Sequence, residues 1–340
     1  MSPVCVTTED RSLFEATVHL PKIYAPVETW PAAPEPPAGR ERIRFGRAQE
    51  YTLDLAAAEA ERLKCWSLVH AEYLACGYAS PQADPYRYSL HDGLPDTATF
   101  LAMAGERAAG TVSVFPDSPL GLPADEIFKP ELDALRRDRR TPVEIGRLAI
   151  DKAHKNDRAL LITLFDILSI YSRRLRRATD LVVTVNPSHA KFYEKMLLFA
   201  RIGSTRDLGS VCGAPAVLMQ LDLARQRQVI RWAHEEGPRP EGGEVGRTFY
   251  GHFSNREDEA RRVEWLRAGM CPPDEPFLRK YFVARRPLIP GLSPALRYFF
   301  EKCYPSYSLG SGRIAGTEQE SRAEDAGGWL QEGERYEADM

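Results

Sequence analysis

The segment spanning residues 142–185 constrains the fold more than any other part of the chain. It opens with P-V-E-I-G-R-L-A-I over residues 142–150, which reads as a strand. A polar connection follows, and residues 159–178 then read as a helix. Leu160, Leu161, Leu164, Ile167, Leu168 and Tyr171 fall on one stripe at helical spacing. L-V-V-T-V over residues 181–185 is a β-branched run suited to a buried parallel strand. Strand–helix–strand in one sheet demands a right-handed crossover.

The flanking sequence completes a mixed sheet. Residues 53–74 carry helical spacing through Leu55, Leu63, Trp66, Leu68, Val69 and Tyr73, and this helix is expected to end near Gly77. Residues 99–104 and 110–115 read as antiparallel strands around a turn at Gly105, Glu106 and Arg107. Three prolines and a glycine make 116–123 a rigid loop. Residues 124–140 are mostly helical. Pro187 opens a short helix running to Leu197, because a proline at the first helical position loses no hydrogen bond. Residues 211–223 form a last apolar strand segment, interrupted by Gly213 and Pro215. The fold class expected is α/β (α+β): a mixed, mostly antiparallel sheet flanked by helices, with a small C-terminal helical extension. The extension follows from aromatics such as Trp232, Phe249, Trp265, Phe282 and Phe300, too apolar for a free tail.

Charge and composition exclude several classes. The 340 residues carry a net charge of −3, without the basic excess usual for a nucleic-acid binder. That value hides an asymmetry: residues 317–340 hold eight acids and two bases, so an acidic tail of −6 balances a body of +3. The longest stretch free of charged residues is 14 residues, 208–221, against about 20 for a membrane-spanning helix. The six cysteines form no C-x-x-C pair, which argues against zinc and thioredoxin-like chemistry. Acids at Glu9 and Asp10, with no apolar run after them, leave no visible signal peptide. The expected location is cytoplasmic. Six prolines between Pro21 and Pro37 make residues 1–40 a Pro-rich leader of extended, spacer-like chain.

The most informative chemistry lies in V-N-P-S-H-A-K-F-Y-E-K-M-L-L-F, residues 185–199. An asparagine at a strand end, a tyrosine seven residues on and a phenylalanine six beyond it place polar groups over the carboxyl edge of the sheet. Ligands bind at that edge in open α/β sheets. The chain also carries, in order, G-T-V-S-V-F-P-D-S-P-L-G-L-P (110–123), E-I-G-R-L-A-I (144–150), V-N-P-S-H-A-K-F-Y (185–193) and G-A-P-A-V-L-M-Q-L-D-L (213–223). Together these blocks resemble the bacterial long-chain N-acyl amino acid synthases, a branch of the GNAT acyltransferase superfamily related to acyl-homoserine lactone synthases. The resemblance spans about residues 42–223. It continues more weakly through R-T-F-Y-G-H-F (247–253) and R-K-Y-F-V (279–283).

The resemblance implies an N-acyltransferase that moves a long-chain fatty acyl group from acyl carrier protein, or from acyl-CoA, to the amine of an amino acid or similar small molecule. The implied domains are a GNAT-like acyltransferase domain at 41–225, a helical extension at 226–307 and an acidic, disordered tail at 308–340. No cofactor is expected to be tightly bound; the acyl-carrying phosphopantetheine or CoA is a co-substrate. The implied partners are acyl carrier protein and a small amine acceptor, with no nucleic acid, and with any membrane contact peripheral, through the lipid product. Glu144 is the expected base, acting through water, and Tyr193 the expected acid for the leaving thiolate. Substrate-binding residues are Arg147 for an acceptor carboxylate, Asn186 for pantetheine amides, and Phe100. Ala149, Ile150, Lys155, Arg158 and Ala159 are expected at the co-substrate. Three of these have a plainer reading: Glu144 in an ion pair with Arg147, Tyr193 as a core tyrosine, and Asn186 as a helix cap. Glu144 and Arg147 have opposite parity and can serve one cleft only if their strand is bulged; GNAT folds carry such a bulge.

Two departures bear on the donor and acceptor. The usual phosphate loop, Q/R-x-x-G-x-G/A, is here His154-Lys155-Asn156-Asp157-Arg158-Ala159, without glycine and with an acid. Ser113 stands where the synthases commonly carry arginine. Arginine clusters at 136–140 and 173–177 offer landing points for an acidic carrier, or are solvated helix ends. The alternatives are an acetyl-CoA-dependent transferase and a non-catalytic GNAT-fold module that binds lipid or carrier protein. A cysteine nucleophile is disfavoured: Cys212 alone lies near these blocks, with no paired histidine in evidence, so direct attack without a covalent intermediate is expected.

Overall fold

The computed structural model describes residues 42–46, 49–81, 83–235 and 249–307. The leader at 1–40 and the tail at 308–340 lie outside the described residues.

One sheet organises the chain. In order along the sequence its strands are β1 (Ile43–Phe45), β2 (Tyr51–Leu55), β3 (Ala98–Ala104), β4 (Arg107–Pro116), β5 (Pro142–Ile150), β6 (Asp180–Val185), β7 (Ala200–Arg201), β8 (Arg206–Leu208) and β9 (Ala214–Asp222). The spatial order is β1-β2-β3-β4-β5-β6-β9-β7, with β8 pairing β9. Every pairing is antiparallel except β5 with β6. The crossover between those two is α3 (Arg158–Ile170), continued by a π-helical turn at Tyr171–Leu175. The predicted mixed sheet is therefore present, and β5 and the helix after β6, α4 (Pro187–Leu197), have the predicted bounds.

Two layers of helices cover the sheet, and side-chain alternation along the strands assigns residues to them. On β3, Phe100 and Ala102 enter a core shared with α3, α4, α5 (Leu223–Glu235) and α6 (Arg256–Gly269). Leu101 and Met103 enter a second core on the other face. There they meet α1 (Glu59–Ala75) and a C-terminal pair, α7 (Glu275–Leu278) and α8 (Pro294–Cys303). Between Asp117 and Glu144, α2 (Asp125–Arg137) packs Phe128 and Leu132 against Val182 and Leu218. The helices after β9 join these cores through buried Phe249, Tyr250, Leu266, Phe282 and Phe300. α6 is also held to α3 by an Arg262–Asp166 ion pair of 2.5 Å.

The helix expected over 53–74 begins later. Tyr51, Leu53 and Leu55 alternate buried and half-buried as β2, and the helix starts at Glu59. Among the described residues no helix is long and apolar enough to cross a membrane.

Candidate active site

The site begins where β5 and β6 part. Their ladder runs from Pro142↔Asp180 to Ile145↔Val183 and no further. Beyond it β5 remains paired to β4 at Thr111↔Ala149 and Gly110↔Ile150, so its other backbone edge opens toward β6. The predicted bulge lies at this point. Ser113 pairs Gly146 while Thr111 pairs Ala149, which inserts one residue into β5. Arg147 absorbs it with φ of 53°, a left-handed conformation that is uncommon for a side-chain-bearing residue. The bulge lets Glu144 and Arg147 share a face: the Arg147 guanidinium lies over Phe115, 5.5 Å from its ring centre, and Phe115 is the β4 partner of Glu144. Gly146 leaves room for that ring, since a Cβ there would sit 2.7 Å from Phe115.

Glu144 is 4% exposed. Its Oε2 accepts a 2.7 Å hydrogen bond from the Ala124 backbone N–H at the start of α2. Burial pushes its carboxyl up to about 8; the Ala124 bond and the Arg147 charge oppose this, and Asp125 adds to it. A base titrating near neutral pH suits proton transfer from an amine.

Arg147 is expected to hold an acceptor carboxylate, but its guanidinium is already engaged. Nη2 meets the buried Asp92 at 2.7 Å and donates to Ser89 Oγ at 2.8 Å, while Nη1 donates to the Arg87 carbonyl at 2.8 Å. It thereby pins residues 87–92 beside Glu144. Beside Asp92, His91 is neutral: burial lowers it to about 4, and its Nε2–H donates to the Gly121 carbonyl at 3.2 Å.

Two tyrosines flank the opening. Tyr193 of α4 is 7% exposed and packs edge-on to Phe165 and Phe199. Burial holds its phenol well above the usual tyrosine range. Tyr73 of α1 packs with Leu68, Val69 and Ala149. Burial raises its phenol too, against the charges of Arg147 and Arg87. Tyr73 also feels Glu144 and is felt by Tyr193, so the two tyrosines, Glu144, Arg147 and Arg87 share one electrostatic neighbourhood. The sequence marks Tyr73 only as a member of a helical stripe.

Other expected residues sit elsewhere or do other work. Phe100 is fully buried on the opposite face of the sheet from Glu144, against Tyr171. Strand alternation turns it away from the cleft. Asn186 is the cap of α4, its Oδ1 accepting from the Ser188 N–H at 3.0 Å. Ser113, where an arginine is common among the synthases, is 1% exposed and bonded to Thr99 Oγ1 at 2.8 Å.

The stretch replacing the phosphate loop is closed by its own acid. Asp157 caps α3, accepting from the Ala159 N–H at 2.9 Å, and also takes the Tyr51 hydroxyl at 2.8 Å. A helix N-terminus binds anions through such free N–H groups; here a carboxylate of the chain occupies the place. Lys155 pairs with Glu72 of α1 at 2.9 Å, and Arg158 is exposed. Ala149 is buried beneath α1, while Ile150 is half-buried.

The arginine clusters are largely neutralised within the chain. Arg136 meets Asp117, Asp125 and Asp133. Arg140 meets Asp180 and Asp222, Arg173 and Arg174 meet Glu259, and Arg176 meets Asp96. The landing surface expected of them is reduced accordingly.

Known proteins resemble this chain over the stretch that builds this site. Residues 64–222 match the family model described as N-acyl amino acid synthase FeeM. The match covers the stretch whose motifs carry the resemblance. A solved FeeM, an N-acyl amino acid synthase from uncultured soil microbes, is 28% identical; the similarity covers 52% of this chain and 93% of that one, with a TM-score of 0.47. The CoA-dependent acyl-homoserine lactone synthase BjaI, solved with SAM and isopentyl-CoA, is 15% identical over 62% of this chain and 97% of its own, at 0.40. A putative N-acetyltransferase from Lactobacillus plantarum is 15% identical over 51% and 98%, at 0.37. The search of curated proteins returns no match.

Proposed function

We propose that this chain, an N-acyltransferase with a GNAT-like sheet, moves a long-chain fatty acyl group from the thioester of acyl carrier protein to the amine of an amino acid. One observation carries the reading: a buried carboxyl, Glu144, pushed up to about 8 beside the bulge and the opening between β5 and β6.

The free backbone edge of β5 beyond Gly146 suits an extended pantetheine arm, which would lie along it as an added strand does. The amine nitrogen attacks the thioester carbonyl, the C–N bond forms and the C–S bond breaks. Glu144, through water, takes the proton the amine sheds. Tyr193, kept protonated by burial, offers its O–H to the departing thiolate. Water exclusion strengthens both interactions.

The carrier-protein thioester is favoured over acyl-CoA by Asp157. Its carboxylate sits at the α3 N-terminus, where CoA pyrophosphate would otherwise find free N–H donors. The same observation weighs against an acetyl-CoA transferase.

The test is turnover by the purified protein of long-chain acyl carrier protein, long-chain acyl-CoA and acetyl-CoA, each against a panel of amino acids. Amide product formed fastest from the carrier-protein thioester is expected. Turnover with acetyl-CoA alone would overturn the proposal.

A further inference from the structure

The geometry points to Arg87, rather than Arg147, as the residue that holds the carboxylate of the acceptor amino acid. This inference rests on the N-acyltransferase reading above and names the acceptor-binding residue of that same site.

The candidates are few. Arg147 is engaged by Asp92, Ser89 and the Arg87 carbonyl. Ser113 has no charge and its hydroxyl is bonded to Thr99. Arg87 lies in the loop that Arg147 pins, and its guanidinium lies over the ring of Tyr73, 4.7 Å from the centroid. Its Nη2 donates to the Ser210 carbonyl. Its Nε and Nη1 have no protein acceptor, and no carboxylate lies within ion-pair distance, among the described residues.

That pattern is unusual around this cleft. Arg285 and Arg286, which stack on Tyr86 and Tyr88, share Asp84. Arg87 is half-buried, and the charges it feels from other arginines, Arg147 and Arg286, are of its own sign. Burial accordingly lowers its pKa. A partly desolvated cation without a counter-charge favours an arriving anion. Its planar fork suits a carboxylate in particular. Tyr73 ties the position to the chemistry: its ring lies under Arg87 and its phenol feels the Glu144 charge. An α-amino acid carries its amine one carbon from its carboxylate, so a carboxylate on Arg87 delivers the amine to the neighbourhood of Glu144.

The experiment compares one amino acid with its decarboxylated amine as acceptors, in wild type, Arg87→Met and Arg87→Lys, at saturating acyl donor. Methionine keeps an unbranched stem against Tyr73 while removing the charge. Wild type should prefer the amino acid, and Arg87→Met should shrink that preference in kcat/KM by roughly 10–100-fold, the range of a charge-assisted hydrogen-bonded contact. The loss should fall in KM for the amino acid. Arg87→Lys should recover part of the preference, having charge without the fork. A partly unfolded variant would lose both acceptors equally, so the ratio is insulated from folding. A preference unchanged in Arg87→Met, or a wild type that acylates both acceptors alike, overturns the assignment and leaves the acyltransferase reading standing. A wild type that acylates neither overturns that reading, and the assignment with it.

Discussion

The parallel pair β5–β6 has two ends, and they treat polar groups in opposite ways. At the amino end, Asp180 is fully buried and fully served. Arg140 meets it with two nitrogens, Gln220 Nε2 donates at 2.7 Å and Thr179 Oγ1 at 2.6 Å, while Arg140 also reaches Asp222. At the carboxyl end, Glu144 has one backbone N–H, Arg87 has no counter-charge among the described residues, and Asp92 Oδ1, Arg147 Nε and Thr184 Oγ1 are buried without partners. Buried polar groups are normally satisfied, and three of the six partnerless buried side-chain atoms among the described residues lie at this end, which needs a reason. The saturated end holds the strands together. The undersatisfied end is where the strands part and where a ligand's own donors and acceptors would complete the set.

That contrast predicts its own breaking. Replacing Glu144 with glutamine should lower kcat by roughly 10²–10⁴-fold, the range for losing a general base, while leaving the fold intact. The pH profile sharpens the point. Only ionised Glu144 can accept the amine's proton, so kcat/KM should climb to a plateau above about pH 8. The acceptor amine's ionisation appears in both proteins, and the difference between wild type and Glu144→Gln isolates the carboxyl. Stability should move the other way. The folded carboxyl holds its proton up to about 8 whereas the unfolded one loses it near 4.5, so the native state binds more protons in that window and is destabilised as pH rises through it. Thermal melts should show wild type losing ground to Glu144→Gln between those limits. Parallel melting curves would mean the carboxyl is not held in a dry site.

At the saturated end the same kind of change should act on stability alone. Arg140→Met leaves Asp180, with its side chain 0% exposed, without its cation. Breaking a buried pair in this way costs roughly 3–5 kcal/mol; because Arg140 is itself 31% exposed, the lower part of that range is expected. Denaturant unfolding should show the loss, and kcat/KM per folded molecule should stay near that of wild type.

The two ends were also unequally legible in the sequence. β5 and α4 have bounds set by local chemistry, prolines at 142 and 187 and the Asn186 cap, and these read directly from the residues. β1, β7 and β8 are two or three residues long and carry no periodicity to read. β2 was hidden because Leu55 also fits the spacing of the helix that starts four residues later. Glu144 stands out as an acid in an apolar strand. The arginines do not declare their roles, since their partners are remote: Arg140 finds Asp180 and Asp222, Arg176 finds Asp96, and Arg147 finds Asp92. Which arginine beside the cleft lacks a carboxylate partner is a property of the fold, and Arg87 could not be singled out before it.

The smallest effect concerns the donor, at the N-terminus of α3. Asp157 is both a cap and a fixed negative charge there, with Tyr51 raised to about 12 by burial and by that acid. Asp157→Asn keeps a good cap and removes the charge, so stability should change little. Asp157→Ala removes both and should cost about 1 kcal/mol. A charge at a helix terminus is worth about 0.3–1 kcal/mol, so free CoA should inhibit Asp157→Asn about two- to fivefold more strongly than wild type. The KM for an acyl carrier protein thioester, which brings a single phosphodiester in place of a pyrophosphate, should move less. If CoA inhibition is the same in wild type and both variants, the nucleotide phosphates do not approach this helix. The preference for a carrier-protein donor must then come from another surface.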